Sequence, residues 1–419
     1  MADIVIAAFG SRGDIMPLTD VGCRLQEAGH RVVLTSNIEL DGEVRECGLD
    51  ARGIDAGLDT DLDPSTDDAL RIALQLVRPA GMRRLGHNLL DAIGDVPADV
   101  LLLTPFAELA GHPLAEARGI PGLGLRLQPL SATRDFPPSL LGAWSGGGMG
   151  NRMAGVAAAQ TADRVYGATV DAFRTRLGLP RRSARLLRKA RTAAEWPILH
   201  GVSPSVVPRP ADWRSGLDTV GYWWQRTPES WSPPEELTRF LSDGPSPVFV
   251  GFGSLVIPDR ERERLMAVVR DALAAAGVRG VVQSGGAGLT VTGDGVLTIG
   301  PVPHEWLFTR VAAVVHSCGA GTTAAGLRAG VPAVAVPSPG GDQPFWARRL
   351  RDLGVSLATL PRPRLASGPL AAAITAAVTD PGYRERAQRI AQCIAREDGA
   401  GQVVSAVERL LDGPAAVRR

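Results

Sequence analysis

The chain has 419 residues, 45% of them hydrophobic and 21% charged, and its 45 Lys and Arg nearly balance 44 Asp and Glu to give a formal net charge of +1. A composition so close to the globular average excludes a disordered or fibrous protein, and the length fits two domains with a connection. The near-zero charge argues against nucleic acid as a partner, because nucleic-acid binding relies on an excess of basic residues.

The N-terminus runs from Met1 directly into a strand pattern without a basic segment, which argues against a signal peptide. Nowhere do eighteen apolar residues follow one another, so we expect no membrane span and a cytoplasmic protein. The cysteines Cys23, Cys47, Cys318 and Cys393 are scattered without a C-x-x-C pair. This spacing argues against a disulfide framework or a structural zinc site.

The N-terminal half alternates strand and helix patterns. It opens on the strand-like run ADIVIA, followed by the turn GSRGD and by a helix with one apolar face: Leu18, Val21, Leu25 and Ala28. Further strands are predicted at residues 31–36, 99–104 and 122–127. Such alternation predicts a parallel sheet.

The acidic run DTDLD, with Asp59, Asp61 and Asp63, resembles the start of a calcium loop. Pro64 stands where such a loop needs glycine, and Leu70 stands where it needs glutamate. The run is therefore interpreted as a solvated acidic loop.

A proline-rich stretch separates the two halves. Nine prolines and four tryptophans lie between Pro197 and Pro247, a composition that disfavours regular helices and central strands through much of the stretch. We place the interdomain connection here. The expected organisation is an N-terminal domain at residues 1–205, a linker at 206–245, a C-terminal domain at 246–395 and a terminal helix at 396–419 that returns to the first domain.

The strand and helix alternation restarts at PVFVGFGS, followed by a helix with Leu265, Val268, Val269 and Leu273 on one face. The runs RGVVQS, VLTIG, AAVVHS and VPAVAVP predict four more strands, and residues 384–411 predict two helices separated at Asp398-Gly399. Two successive parallel sheets place the carboxyl ends of their strands at a shared crevice, where ligands bind in such folds.

The turn between Ser317 and Thr323 is suited to phosphates. A buried strand leads into SCGAGTT, and a helix is predicted from about Ala324. Glycines let a ligand approach the backbone, and a helix N-terminus offers free N–H groups with partial positive charge. The alternative is a tight turn in which Thr322 only caps the helix. The loop is no Walker loop, and the run from Gly10 to Gly13 lacks dinucleotide-binding spacing.

The motifs GSRGD, VPHEWLF, GAGTT and GDQPFW, in this order, resemble those of the GT-B glycosyltransferases that modify lipophilic natural products and sterols. The resemblance implies an α/β protein with two Rossmann-like β/α/β domains facing each other across a cleft. It implies inverting, metal-independent transfer of a hexose from a UDP- or dTDP-sugar to a hydroxyl or amine of a lipophilic acceptor. The nucleotide sugar is then a co-substrate, no cofactor is expected, and the protein is expected to be a monomer or a homodimer.

Asp14 matches the base of this family, which draws a proton from the acceptor. The alternative from the residues alone is that Asp14 caps the following helix or pairs with Arg12. The resemblance places an acceptor beside the GSRGD turn. A glycine-rich segment, residues 138–151, is expected to form either a mobile lid over the acceptor or a plain flexible loop. The expected acceptor-binding residues are Ser11, Arg12, Gly13, Leu140 and Trp144.

The resemblance also implies which residues bind the nucleotide-sugar donor. The diphosphate is expected at Gly253, Ser254, Gly319, Gly321, Thr322 and Thr323. The pyrimidine base is expected at the backbone of Val302 and on Trp306, which as an alternative only anchors a short helix. Asp342 and Gln343 match the pair that binds sugar hydroxyls, while Phe345 and Trp346 are expected to pack the next helix.

The sequence departs from the family immediately before the glycine turn. Ser317 stands where relatives carry a diphosphate-binding histidine, His316 lies one residue earlier, and Cys318 replaces a glycine. A serine offers one neutral hydrogen bond, weaker than that of a charged group. This departure motivates the alternative of a non-catalytic auxiliary protein that assists a partner glycosyltransferase. A dinucleotide-dependent oxidoreductase is a third, weaker hypothesis.

Overall fold

A computed structural model describes residues 1–55, 78–253 and 257–413, which form two parallel β-sheets. The first sheet has seven strands in the order β3-β2-β1-β4-β5-β6-β7. These are β1 (Asp3–Ala7), β2 (Arg31–Asn37), β3 (Asp50–Ile54), β4 (Val100–Leu103), β5 (Gly122–Arg126), β6 (Ile198–His200) and β7 (Leu217–Thr219). All neighbouring strands are parallel.

Helices cover both faces of the first sheet, as its fully buried strands require. Those of the first half are α1 (Arg12–Ile15), α2 (Leu18–Glu27), α3 (Asp41–Glu46), α4 (Pro79–Ile93), α5 (Glu108–Arg118), α6 (Gly147–Arg176) and α7 (Ala184–Ala193). Leu18, Val21 and Leu25 of α2 pack on one face of the sheet, while Leu89 and Phe173 pack on the other. Leu18, Val21 and Leu25 thus form part of the core, as the sequence predicts, whereas Ala28 follows the end of α2 and is exposed.

The second sheet has five parallel strands in the order β10-β9-β8-β11-β12. These are β8 (Val248–Gly251), β9 (Gly280–Gln283), β10 (Val296–Ile299), β11 (Ala313–His316) and β12 (Ala333–Ala335). The helices of this half are α8 (Glu235–Ser242), α9 (Asp259–Ala276), α10 (His304–Phe308), α11 (Ala320–Ala329), α12 (Gln343–Asp352), α13 (Ser367–Thr379), α14 (Pro381–Ile394) and α15 (Gly399–Asp412). Each helix in the described part of the chain is too short or too polar to cross a membrane.

The last helix, α15, returns to the first half. Its Val403 and Val407 join the cluster formed by α2 and the first sheet. The Trp223 indole N–H donates to the Gly399 carbonyl at 3.1 Å, and a Cβ on Gly399 would lie 2.5 Å from the Gly221 carbonyl oxygen. The start of α15 therefore requires glycine.

Two segments contain more regular structure than their composition alone indicates. The proline-rich stretch holds β6, β7 and α8, because these short elements fit between the prolines. The seven-stranded sheet accordingly extends to Thr219, beyond the expected domain end at residue 205. The glycine-rich segment is partly helical, because α6 begins at Gly147. The Asn151 side chain accepts a hydrogen bond from the Gly146 N–H at 3.1 Å at the start of this helix.

Buried histidines make the stability of the fold depend on pH. Burial lowers the pKa of His200 to about 3, of His304 to about 4 and of His316 to about 3. An unfolded histidine titrates near pH 6.5, so below that pH the unfolded chain binds protons that the folded chain does not. Stability is therefore full above about pH 6.5 and decreases as the pH falls towards 3.

We expect His200→Gln to make this pH dependence shallower. Each histidine of this kind contributes a slope of up to about 1.4 kcal/mol per pH unit to the free energy of unfolding. The slope between pH 6 and pH 4 (about the range where only the unfolded histidine is protonated) is measured by urea denaturation at several pH values. A variant whose slope equals that of the wild type would contradict the neutral state of His200 in the fold.

Candidate active site

The turn after β1 presents the Asp14 carboxylate. Gly10 has a φ of +143°, and a Cβ there would lie 2.8 Å from Asp14 Oδ2, so this approach needs glycine. Asp14 Oδ2 accepts hydrogen bonds from the Ser11 N–H at 2.9 Å and from the Ser11 hydroxyl at 2.8 Å. Asp14 thus binds Ser11, the N-cap of its own helix α1. The alternative that Asp14 caps the following helix is wrong, because α2 begins after Pro17 and has no side-chain cap. Asp14 Oδ1 makes no hydrogen bond to another described residue.

Arg12 does not pair with Asp14. Its guanidinium donates to the Glu43 carboxylate instead. Burial lowers the pKa of His304, and the positive charge of Arg12 lowers it further. Arg12 follows β1 in the first half, and His304 lies in the VPHEWLF segment of the second half. The charge of one therefore acts on the other across the two halves.

The helix α11 begins four residues earlier than the sequence predicts, at Ala320 instead of Ala324. Gly319 is its N-cap, and no side chain caps this end. The first helical hydrogen bond runs from the Thr323 N–H to the Gly319 carbonyl at 2.9 Å. Gly321, Thr322 and Thr323 thus lie in the first turn, where backbone N–H groups lack helical partners.

The space in front of this terminus is open. A Cβ built on Gly319 or Gly321 would meet no heavy atom within 4 Å. The Thr323 hydroxyl is buried and has no hydrogen-bond partner among the described residues. Free N–H groups, a helix dipole and an unpaired hydroxyl together form an environment that favours an anion.

The three residues before this terminus are buried and neutral. The His316 Nδ1 accepts a hydrogen bond from the Cys318 N–H at 3.2 Å, so the ring carries its proton on Nε2. The Ser317 hydroxyl donates to the Phe252 carbonyl at 3.4 Å. Cys318 adopts the left-handed conformation, with a φ of +62°, and burial raises the pKa of its thiol. A buried thiol with a raised pKa is inert as a nucleophile.

Gly253 follows β8 at the same edge of the sheet, with a φ of +65°. Its carbonyl accepts a hydrogen bond from the Gly286 N–H at 2.8 Å, and a Cβ on Gly285 would lie 2.4 Å from that oxygen. This contact is not among the expected ones, although the glycine-rich run SGGAG after β9 permits it. Ser254 and the acidic run at residues 59–63 lie outside the described residues.

Asp342 and Gln343 open the helix α12. Asp342 Oδ2 accepts a hydrogen bond from the Trp346 indole N–H at 2.8 Å, and Gln343 Oε1 accepts one from the Ser338 N–H at 2.8 Å. Burial raises the pKa of Asp342, and the negative charge of Asp14 raises it further. The carboxylates of Asp14 and Asp342, one from each half of the chain, therefore repel each other. Sequence reasoning did not identify the contributions of Ser338 and Trp346.

Trp306 is partly buried and packed on two sides. It makes a T-shaped contact with Trp231 at 5.7 Å between ring centroids, and the Arg310 guanidinium lies 4.4 Å above the ring. This packing agrees with the alternative that Trp306 anchors a short helix. Val302 is also buried, yet its backbone N–H and C=O make no hydrogen bond to another described residue.

The expected acceptor-binding side chains are exposed. Leu140 and Trp144 have 49% and 45% of their surface accessible, and Ser11, Arg12 and Gly13 are exposed as well. The Arg348 guanidinium donates to the Ala143 carbonyl at 3.0 Å, which joins this segment to α12. Apolar side chains are thus available next to the helix that carries Gln343.

Comparison with known proteins identifies relatives over nearly the whole chain. Residues 278–410 match the family described as erythromycin biosynthesis protein CIII-like, C-terminal domain. The chain is 33% identical to the O-mycaminosyltylonolide 6-deoxyallosyltransferase of Streptomyces fradiae, over 97% of this chain and 96% of that enzyme. This match spans both sheets.

A second relative is the sterol 3-beta-glucosyltransferase of Neurospora crassa, with 31% identity over 98% of this chain. This chain spans only 27% of that much longer protein. The crystal structure of the kitacinnamycin glycosyltransferase superposes with a TM-score of 0.72 at 20% identity, covering 98% of this chain and 99% of that one. That likeness shows the two-domain GT-B fold with facing Rossmann-like sheets.

Proposed function

Because the chain belongs to the GT-B glycosyltransferases related to antibiotic and sterol glycosyltransferases, we propose that it transfers a hexose from a UDP- or dTDP-sugar to a lipophilic small molecule. The group that receives the sugar is a hydroxyl or an amine, and the transfer is inverting and independent of a metal ion. The first half binds the acceptor, and the second half binds the nucleotide sugar.

One observation carries this proposal: the charge of Asp14, from the first half, raises the pKa of the buried Asp342, from the second, and Asp342 also acts on Cys318, which precedes the open N-terminus of α11. In the proposed reaction, Asp14 Oδ1 takes the acceptor proton as the acceptor atom forms its bond to the sugar C1. The bond from C1 to the diphosphate oxygen breaks at the same time. The free amides of α11 stabilise the negative charge that develops on the leaving diphosphate.

The donor residues fit the parts of a nucleotide sugar. The unpaired backbone groups of Val302 suit the edge of a pyrimidine base, and Trp306 offers an aromatic ring beside it. The Asp342 carboxylate accepts from a sugar hydroxyl, while the Gln343 amide donates to one. Gly253, Gly319, Gly321, Thr322 and Thr323 surround the diphosphate.

The relatives support a natural-product acceptor. The name of the Streptomyces fradiae relative describes transfer of a 6-deoxyallosyl group to O-mycaminosyltylonolide, and that of the Neurospora relative describes glucosyl transfer to a sterol. The exposed Leu140 and Trp144 provide apolar surface for such a molecule. Antibiotic biosynthesis is the corresponding biological role.

The proposal is tested with a panel of UDP- and dTDP-hexoses against lipophilic hydroxyl and amine acceptors, with products detected by mass spectrometry. We expect one donor and acceptor pair to give a glycoside whose anomeric configuration, determined by NMR, is opposite to that of the donor. A chelator is expected to leave the rate unchanged. Nucleotide binding without turnover of any pair would favour the auxiliary protein instead.

A smaller effect is expected at Ser317. Its hydroxyl donates its single proton to the Phe252 carbonyl, so turning it towards the diphosphate exchanges one neutral hydrogen bond for another, each worth about 0.5–1.5 kcal/mol. Ser317→Ala should therefore weaken the binding of UDP or dTDP only about threefold, measured by calorimetry. A loss of about a hundredfold at an unchanged melting temperature would contradict this limited role.

A further inference from the structure

We propose that Trp346 is a positioning residue for the donor sugar, whose indole N–H holds the Asp342 carboxylate so that the second carboxylate oxygen is left for a sugar hydroxyl. The inference rests on the donor role proposed above for Asp342. The indole N–H donates to Asp342 Oδ2 at 2.8 Å. The other oxygen makes no hydrogen bond to another residue in the described part of the chain.

The indole is fixed by its surroundings. Only 1% of the Trp346 surface is exposed, and the ring belongs to a buried cluster that includes Val206 and Tyr222 of the first half. It also makes a T-shaped contact with Phe345 at 5.1 Å between centroids. An indole nitrogen only donates hydrogen bonds, so this fixed group binds one carboxylate oxygen and defines the orientation of Asp342.

The neighbouring Gln343 is oriented in a similar way. Its Oε1 accepts from the Ser338 N–H at 2.8 Å, which leaves the amide NH₂ to donate elsewhere. Both sugar-binding side chains thus have one polar atom bound before a sugar arrives. Such preorganisation reduces the side-chain entropy lost on binding.

The same contact affects the charge of Asp342. Burial raises the pKa of this carboxyl group, the facing charge of Asp14 raises it further, and the Trp346 N–H and the backbone N–H of Asp342 itself lower it. Among the described residues, the Cys318 thiol also interacts with this carboxyl group, and it is neutral because burial raises its pKa. Removing the indole N–H should therefore raise the pKa of Asp342.

The test is Trp346→Phe, which removes the N–H and keeps an aromatic ring in the cluster. By calorimetry, we expect the sugar nucleotide that the wild type uses to bind about tenfold more weakly, because Asp342 is no longer held in its binding orientation before the sugar arrives. Binding of UDP or dTDP without a sugar should be unchanged. KM for the donor should rise, and the acidic limb of the pH profile should move to higher pH.

Trp213→Phe is the matched control. Trp213 is also buried, with 5% of its surface exposed, but its indole N–H has no partner among the described residues. This variant makes the same change from indole to phenyl without losing a hydrogen bond. We expect its affinity for the sugar nucleotide and its pH profile to match those of the wild type.

The outcomes separate this inference from the proposed function. A wild-type protein that binds no sugar nucleotide would overturn both. A wild type that binds the sugar nucleotide, together with a Trp346→Phe variant of equal affinity, equal KM and equal pH profile, would overturn the role of Trp346 alone. Equal weakening of UDP or dTDP and of the sugar nucleotide would also overturn it, since it would indicate a general structural defect.

Discussion

Replacing Asp14 with asparagine is expected to lower kcat by at least about a hundredfold, the lower end of the contribution of a general base. The amide cannot take the acceptor proton, whereas the carboxylate Oδ1, which is free of hydrogen bonds to described residues, can. The rate is measured with the donor and acceptor pair identified in the panel, at saturating concentrations of both.

The variant should keep the local fold. The oxygen of an asparagine amide can accept the same hydrogen bonds from the Ser11 N–H and hydroxyl that Asp14 Oδ2 accepts in the wild type. We therefore expect an unchanged melting temperature and unchanged affinity for the sugar nucleotide. Full activity in Asp14→Asn would exclude Asp14 as the base and would favour another group at the crevice.

The parallel-sheet architecture could be predicted from the sequence. Buried parallel strands are short apolar runs, and turn-forming residues mark where each run ends. The runs at β1, β4, β8 and β11 have this form, and the structure contains a strand at each. The motif GAGTT could likewise be assigned to a strand-to-helix turn. Its helix begins earlier than predicted because Gly319, and not a threonine, occupies the N-cap.

The approach of the two halves at the site could not be predicted, because it depends on long-range packing. Asp14 and Asp342 are far apart in the sequence, and only the arrangement of the two sheets brings their charges together. The Trp346–Asp342 contact is local, one helical turn apart at the start of α12, but the packing of the rest of the ring against Val206 and Tyr222 depends on distant parts of the chain. The left-handed backbone of Cys318 is also unexpected, since this conformation favours glycine.

Gly321→Asp should abolish donor binding without disturbing the helix. Gly321 lies in the first turn of α11 with negative φ, and a Cβ there meets no heavy atom within 4 Å, so the larger side chain fits the unliganded protein. An aspartate in the first turn of a helix is moreover favoured by the helix dipole. We expect a melting temperature equal to or above that of the wild type.

The same carboxylate would stand where we propose the diphosphate binds. Two negative groups brought together at an interface repel each other by several kcal/mol, so affinity for UDP, dTDP and their sugars should fall by about a hundredfold or more. Gly321→Asn adds nearly the same volume without the charge and should lose much less. Because both variants fill the same space, a large difference between them by calorimetry would come from charge. Equal affinities for UDP and dTDP in the wild type and in Gly321→Asp would contradict an anion site at α11, and with it the mechanism in which backbone amides stabilise the leaving diphosphate.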